Sequence, residues 1–110
     1  MNLVSPYRAM WLFALFDLPV KTKAERRDAT RFRKDLIGNG FQMFQFSVYA
    51  RYCGSETVAD GCRRRIRRVL PAGGEVRLLA VTDKQFGKMD VFAGGKRRET
   101  EAIPKQLLLL

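Results

Sequence analysis

The chain has 110 residues, so one domain is expected, and 21 Lys and Arg against 11 Asp and Glu give it a formal net charge of +10. That charge predicts a polyanionic partner, nucleic acid before an anionic membrane. Histidine is absent from the sequence, which excludes His-based general base catalysis and leaves carboxylates with a hard cation such as Mg²⁺ for any hydrolysis. The longest apolar run is far short of the roughly 20 residues that span a bilayer, and we expect a cytoplasmic protein without a membrane partner.

The first predicted element is an apolar, aromatic-rich strand from Met10 to Asp17. An unbroken run of this kind is typical of a strand covered on both faces. Pro19 has no amide hydrogen and restricts Leu18, so the strand should end near Asp17. An acid at the end of a core strand either pairs with a cation or takes part in chemistry, because an unpaired buried charge is costly. On this stretch alone, a carboxylate that caps the turn or pairs with an arginine is slightly favoured.

A helix is predicted to follow, because Thr22 and Glu25 fit a capping box and the helical pattern continues to about Ile37. Three apolar positions recur at helical spacing and should face a core: Ala29, Phe32 and Leu36. Three cations share one exposed side of this helix and are candidate nucleic-acid contacts: Arg27, Arg31 and Lys34. A solvated face balanced by Asp28 and Asp35 is an equally supported interpretation.

Residues 41–52 are aromatic and β-branched, and their length predicts two strands joined by a tight turn or bulge near Gln45. Ser55 is a plausible cap for a second helix over Glu56 to Leu70. Its predicted apolar stripe places a cysteine in the core: Val58, Cys62, Ile66 and Val69. Five of its six residues at 63–68 are arginines, which favours binding to a phosphate backbone over a solvated face. The candidate contacts are Arg63, Arg64, Arg67 and Arg68.

The remaining elements are a strand over Glu75 to Thr82, a turn over Asp83 to Phe86 and a short strand over Met89 to Ala93. Residues 1–93 are therefore predicted to form the domain, and residues 94–110 a flexible tail. The four leucines at 107–110 are expected to dock as a strand on a partner.

The order of elements is the split βαβ pattern, βαββαβ with an extra C-terminal strand, which predicts a ferredoxin-like α+β fold. Both helices would pack on one face of an antiparallel sheet. The other face of the sheet would be exposed to solvent, although the first strand is apolar throughout. A second copy of the chain is the simplest partner to bury it.

Four motifs carry a family resemblance: FDLP at 16–19, RFRK at 31–34, GFQMFQFSVYAR at 40–51 and VTDKQF at 81–86. Together they span about residues 8–93. They resemble the small CRISPR-associated endoribonuclease of the adaptation module, in a version similar to those that accompany compact class 2 effectors.

The resemblance implies a homodimer at the centre of a heterohexamer-type complex with a larger integrase subunit, where it holds the DNA being integrated. It also implies a metal-dependent endonuclease acting on single-stranded RNA, double-stranded DNA or both. In that family the acid ending the first strand, here Asp17, is the catalytic residue and the Mg²⁺ ligand. Ser47, with its neighbour Tyr49, would lie at the dimer interface.

A two-fold axis could bring two copies of Asp17 together, and two close carboxylates repel unless a proton or a cation lies between them. A bridging Mg²⁺ would resolve that repulsion, although each chain offers it only one carboxylate. Asp83 is not assigned to the metal, because its context is that of a turn.

Two alternatives stay open. One is a non-catalytic DNA-binding scaffold, which the arginine density favours. The other is a stand-alone RRM-like binder of single-stranded RNA that stacks bases on four sheet aromatics, although the sequence lacks the expected glycine-and-aromatic pattern. Those aromatics would be Trp11, Phe13, Phe44 and Phe46.

Overall fold

The computed structural model describes residues 9–104. Its first six elements follow the predicted order: β1 Met10–Asp17, α1 Lys23–Gly38, β2 Gln42–Gln45, β3 Val48–Cys53, α2 Glu56–Arg67 and β4 Glu75–Thr82. The four strands form an antiparallel sheet in the order β2-β3-β1-β4. This arrangement confirms the predicted ferredoxin-like α+β fold.

Strand β1 lies inside the sheet and contributes to a core on each face. Leu12, Ala14 and Phe16 belong to the cluster that packs with α1 and α2, whereas Trp11 and Phe13 belong to a second cluster on the opposite side. Side chains alternate along a strand, so an unbroken apolar run fills both cores. We call the side of the sheet away from α1 and α2 the helix-free face.

Helix α1 begins as predicted. The Thr22 side chain accepts a hydrogen bond from the Glu25 amide at 3.1 Å, and Glu25 Oε1 accepts one from the Thr22 amide at 2.8 Å. This reciprocal pair satisfies two amides that the first helical turn leaves without partners. The predicted apolar stripe is also confirmed: Ala29, Phe32 and Leu36 are buried.

Helix α2 is capped by Ser55 as predicted, but it ends at Arg67 rather than Leu70. Cys62 and Ile66 are fully buried as predicted. Val58 was also predicted in the core but is 41% exposed, and Ala59 is buried instead. The reason is rotational: at about 100° per residue, Ala59 lies about 20° from the direction of Ile66, and Val58 about 80° from it.

The helix-free face is partly covered by the chain itself, which the sequence analysis did not anticipate. Residues Asp83–Gly87 form a short helix, α3, where a turn was predicted, because Thr82 and Gln85 make a second capping box. The ring of Phe86 stacks on Trp11 with centroids 3.9 Å apart and planes 8° apart. Trp11 is only 1% exposed as a result.

Two further strands follow, β5 Val91–Ala93 and β6 Lys96–Arg98, and they pair with each other as a separate hairpin. The predicted strand therefore starts at Val91 rather than Met89, and part of the predicted flexible tail is a strand. Gly94 and Gly95 have φ values of +59° and +79°, and two consecutive residues with positive φ suit a two-residue hairpin turn. The predicted docking strand at 107–110 lies outside the described residues.

Candidate functional site

Asp17 is the last residue of β1 and its side chain is exposed. It shares the alternation of Trp11, Phe13 and Leu15, so it belongs to the helix-free face. Within residues 9–104, no ion pair or side-chain hydrogen bond involves its carboxylate. The structure therefore gives no support, in the part of the chain it describes, to an acid that is simply neutralised by a neighbouring arginine.

A second carboxylate, which the sequence analysis missed, lies next to the first. Glu75 is the register partner of Asp17 across the β1–β4 pair. Its carboxylate accepts from the Arg77 guanidinium at 2.7 Å, and both side chains are exposed. The signal was available in the predicted topology, because the first residue of an antiparallel neighbour lies beside the last residue of β1.

Gly74 makes this close approach possible. Its φ is +83°, and a Cβ atom there would collide with the Asp17 carbonyl oxygen and crowd Leu18. Only glycine adopts this backbone conformation without penalty and also leaves room for the end of β1.

The Asp17 carboxylate suits a cation that keeps most of its water, whereas Glu75 is already paired with Arg77. Mg²⁺ commonly binds proteins through one or two carboxylates and retains several water ligands. Among residues 9–104, no group of three or more His, Cys, Asp or Glu side chains is arranged to hold a metal ion. A single chain thus offers Asp17, with Glu75 beside it, but not a complete protein cage.

Asp83 is far from this site and has a structural role. Its Oδ1 accepts a hydrogen bond from Trp11 Nε1 at 2.8 Å. Met10 pairs with Thr82 at one end of β1 and Asp17 with Glu75 at the other. Seven residues of strand separate these ends, about 24 Å at 3.4 Å per residue. Asp83 therefore lies at the opposite end of β1 from Asp17, as the hydrogen-bond partner of Trp11.

Helix α1 carries a continuous basic surface. The predicted contacts Arg27, Arg31 and Lys34 are exposed and line one shallow depression of about 580 Å³. The sequence analysis did not assign two further cations that line it, Lys23 and Arg26. Arg26 donates to the carbonyls of residues 20 and 21 at 3.1 and 2.9 Å, so its guanidinium is partly occupied.

The arginines of α2 divide into two groups. Arg63 is half-buried and lies 3.9 Å from Asp60, and Arg65 donates to Asn39 Oδ1 at 3.1 Å, which ties α2 to the end of α1. The other candidate contacts are exposed, and within residues 9–104 none of them forms an ion pair: Arg64, Arg67 and Arg68. These three are the α2 cations most available to a phosphate backbone.

Comparison with known proteins decides the family. The family described as "CRISPR associated protein Cas2" matches residues 10–89. The chain belongs to the Cas2 family. The resemblance seen in the four sequence motifs is thereby confirmed.

Several curated Cas2 relatives match almost the whole chain, and each is named CRISPR-associated endoribonuclease Cas2. The relative from Flavobacterium psychrophilum is 45% identical over 96% of this chain and 92% of its own length. The relative from Parvibaculum lavamentivorans is 49% identical over 91% of this chain and 99% of its own length. The relative from Paracidovorax avenae is 46% identical over 94% of this chain and 96% of its own length.

The two residues that the Cas2 resemblance assigned to the dimer interface occupy different environments. Ser47 has φ +67°, and its carbonyl accepts from the Phe16 amide at 3.1 Å. Tyr49 is only 3% exposed and lies 5.5 Å from the Phe16 ring within the core under the helices. The Tyr49 side chain is therefore part of the core of one chain, where it offers almost no surface to a second copy.

The four aromatics of the RRM-like alternative do not form an open platform. Trp11 is covered by Phe86, and Phe13 and Phe44 are partly buried beside it. Only Phe46 is freely exposed, and it lies in the turn between β2 and β3. An RRM stacks two or three bases on exposed sheet aromatics, so this alternative is wrong for the described face.

Among the described residues, every helix is too short or too polar to cross a bilayer.

Proposed function

We propose that this Cas2-family protein acts in CRISPR adaptation as a homodimer that binds DNA at the centre of the spacer-integration complex with a larger integrase subunit. We also propose that it is a Mg²⁺-dependent endonuclease in which Asp17 is the catalytic acid and metal ligand. One observation carries the second proposal: an exposed Asp17, unpaired among the described residues, ends the central strand of a chain whose relatives are named endoribonucleases.

The homodimer is supported by what remains exposed on the helix-free face. Leu79 of β4 is 53% exposed, and Phe13 and Leu15 of β1 are only partly buried. Apolar side chains on the open part of a sheet gain by burial against another surface, at roughly 25 cal/mol per Å². Because α3 covers the end near Trp11, the exposed part lies toward Asp17, where a second copy would bring a second carboxylate.

Two Asp17 carboxylates near a two-fold axis would repel each other, and a divalent cation would relieve that repulsion. Asp17 of each copy would hold the ion, and Glu75, its register partner, would lie beside it with its carboxylate paired to Arg77. When bound, Mg²⁺ would supply an activated water and stabilise the charge that develops on a phosphodiester. The protein's own contribution is to fix the carboxylates on a strand end supported by Gly74.

The nuclease proposal is tested by Asp17→Asn, which keeps the shape of an exposed side chain and removes its charge. Cleavage of single-stranded RNA and of duplex DNA is measured with and without Mg²⁺. Asp90→Asn is the matched control, because Asp90 is an exposed acid that pairs with Arg97 at 3.0 Å on the hairpin. We expect Asp17→Asn to abolish Mg²⁺-dependent cleavage and Asp90→Asn to retain it; equal rates for Asp17→Asn and the unmodified protein would refute the assignment.

The DNA scaffold is supported by the net charge of +10 and by the basic surfaces of both helices. Each phosphate contact adds about 0.9 to the slope of log affinity against log salt concentration for duplex DNA. We expect a steep slope that becomes about 2.7 units shallower for each chain of the dimer that contacts the DNA when Arg64, Arg67 and Arg68 are replaced by Gln. A slope near zero in the unmodified protein would rule out binding through several phosphates. A purely scaffolding protein would show the steep slope and no Mg²⁺-dependent cleavage of either nucleic acid.

A further inference from the structure

The turn between β2 and β3 presents an aromatic ring to solvent. Phe46 is 79% exposed, the most exposed large apolar side chain in the described part of the chain. Ser47, the next residue, has φ +67°, a conformation that is uncommon for any residue other than glycine. A hydrogen bond of 3.1 Å from the Phe16 amide to the Ser47 carbonyl holds this turn against β1. The ring is therefore displayed by an ordered turn.

The Phe46 ring is already in contact with a cation. The guanidinium carbon of Arg33 lies 5.1 Å from the ring centroid, within the range of a cation–π interaction. Arg33 belongs to α1, which packs on the side of the sheet opposite the helix-free face. Phe46 is thus directed toward the α1 side, and neither the core nor the proposed two-fold contact accounts for its exposure.

The position of the pair relates it to Asp17. The hydrogen bond between Phe16 and Ser47 joins the residue before Asp17 to the residue after Phe46. The aromatic ring and the carboxylate therefore stand at the same end of the sheet. Asp17 belongs to the helix-free face and the Phe46–Arg33 pair lies on the α1 side, so a nucleic-acid strand that wraps around this end of the sheet would meet both.

We propose that Phe46 and Arg33 form a stacking site for one unpaired base of a single-stranded nucleic acid, at the same end of the sheet as Asp17 but on the α1 side. An exposed aromatic face accepts any base by stacking, and a guanidinium at its side adds cation–π and phosphate contacts. Base-paired strands cannot use such a site, because their bases are already stacked. The inference deepens the proposed function by assigning Phe46 and Arg33 to an unpaired base of the bound strand, but it concerns binding and does not require cleavage.

The test measures affinity for a fluorescein-labelled ten-nucleotide oligoadenylate in EDTA, which prevents metal-dependent cleavage, and for a duplex DNA in the same buffer. Phe46→Leu keeps an apolar side chain and removes the aromatic face, whereas Phe46→Trp enlarges it. Phe92→Leu is the matched control, because Phe92 is 64% exposed on the separate β5–β6 hairpin. Chromatographic size and thermal unfolding are recorded for every variant.

We expect Phe46→Leu to weaken oligoadenylate binding about 5- to 150-fold, the range for loss of one base–aromatic stack. Duplex affinity should change by less than about twofold, and Phe46→Trp and Phe92→Leu should bind the oligonucleotide like the unmodified protein.

The stacking site is refuted if single-strand affinity is unchanged by Phe46→Leu, or if single-strand and duplex affinities fall together. It is also refuted if Phe46→Leu changes the size of the protein in solution, since the ring would then be a contact between copies. These outcomes are separate from the nuclease proposal, which stands or falls with Asp17→Asn.

Discussion

The Phe86–Trp11 stack yields a quantitative prediction about the covered end of the helix-free face. Phe86 is 2% exposed, and its ring stacks on that of Trp11 with centroids 3.9 Å apart. The ring centroids of Phe13 and Phe44 lie 5.9 and 5.8 Å from that of Phe86. Phe86→Ala removes a buried ring whose deletion from a core typically costs 3–5 kcal/mol, and we expect about 3 kcal/mol because the short helix α3 can settle into the space. That is a large share of the ~5–15 kcal/mol that stabilises a domain.

The assay is urea unfolding followed by tryptophan fluorescence at one protein concentration. Trp11 is the sole tryptophan in the sequence, so its emission reports on this cluster directly. Phe86→Ala should move the native emission to longer wavelength, because the covered indole face becomes wet. Phe92→Ala serves as the control and should change the free energy of unfolding by less than about 0.5 kcal/mol, as an exposed position does. An unshifted emission spectrum together with unchanged stability in Phe86→Ala would contradict the packing described.

Three further predictions follow from named contacts. Asp83→Ala should lower the free energy of unfolding by about 1.5–3 kcal/mol, because the Trp11 indole loses a charged hydrogen-bond acceptor. Asp83→Asn keeps an acceptor and should lower the free energy of unfolding by less. Equal decreases for the two variants would refute the role of charge. Gly74→Ala should destabilise the protein by more than about 1 kcal/mol and impair cleavage, because its φ is +83° and its Cβ would meet the Asp17 carbonyl, whereas Gly87→Ala has open space and should be tolerated. Burial, opposed mainly by Arg51, raises the pKa of the Cys53 thiol from 9.0 to about 11. The unfolded chain therefore loses this proton before the folded one does, and stability should fall as pH rises from about 9 to 11. Cys53→Ala should flatten that slope, and an unchanged difference between the two proteins across this pH window would contradict it.

Much of the fold could be predicted because it depends on local signals. The proline after β1, the capping box of α1 and the Ser55 cap of α2 each act within a few residues, and each is confirmed. Local patterns do not predict features that depend on packing between elements. Whether Val58 or Ala59 faces the core depends on the rotation that Cys62 and Ile66 impose on the helix.

For the candidate site, the sequence by itself determined the acid, the basic helices and the family resemblance. The end of an apolar strand is enough to single out Asp17, and the net charge follows from the composition alone. Only the tertiary structure decided which residues lie beside Asp17. Glu75 is 58 positions away in the sequence and lies opposite Asp17 only because β1 pairs with β4. The buried Tyr49, the Phe86 cover on Trp11 and the exposed Phe46 beside Arg33 likewise follow from packing between distant segments, which no local pattern specifies.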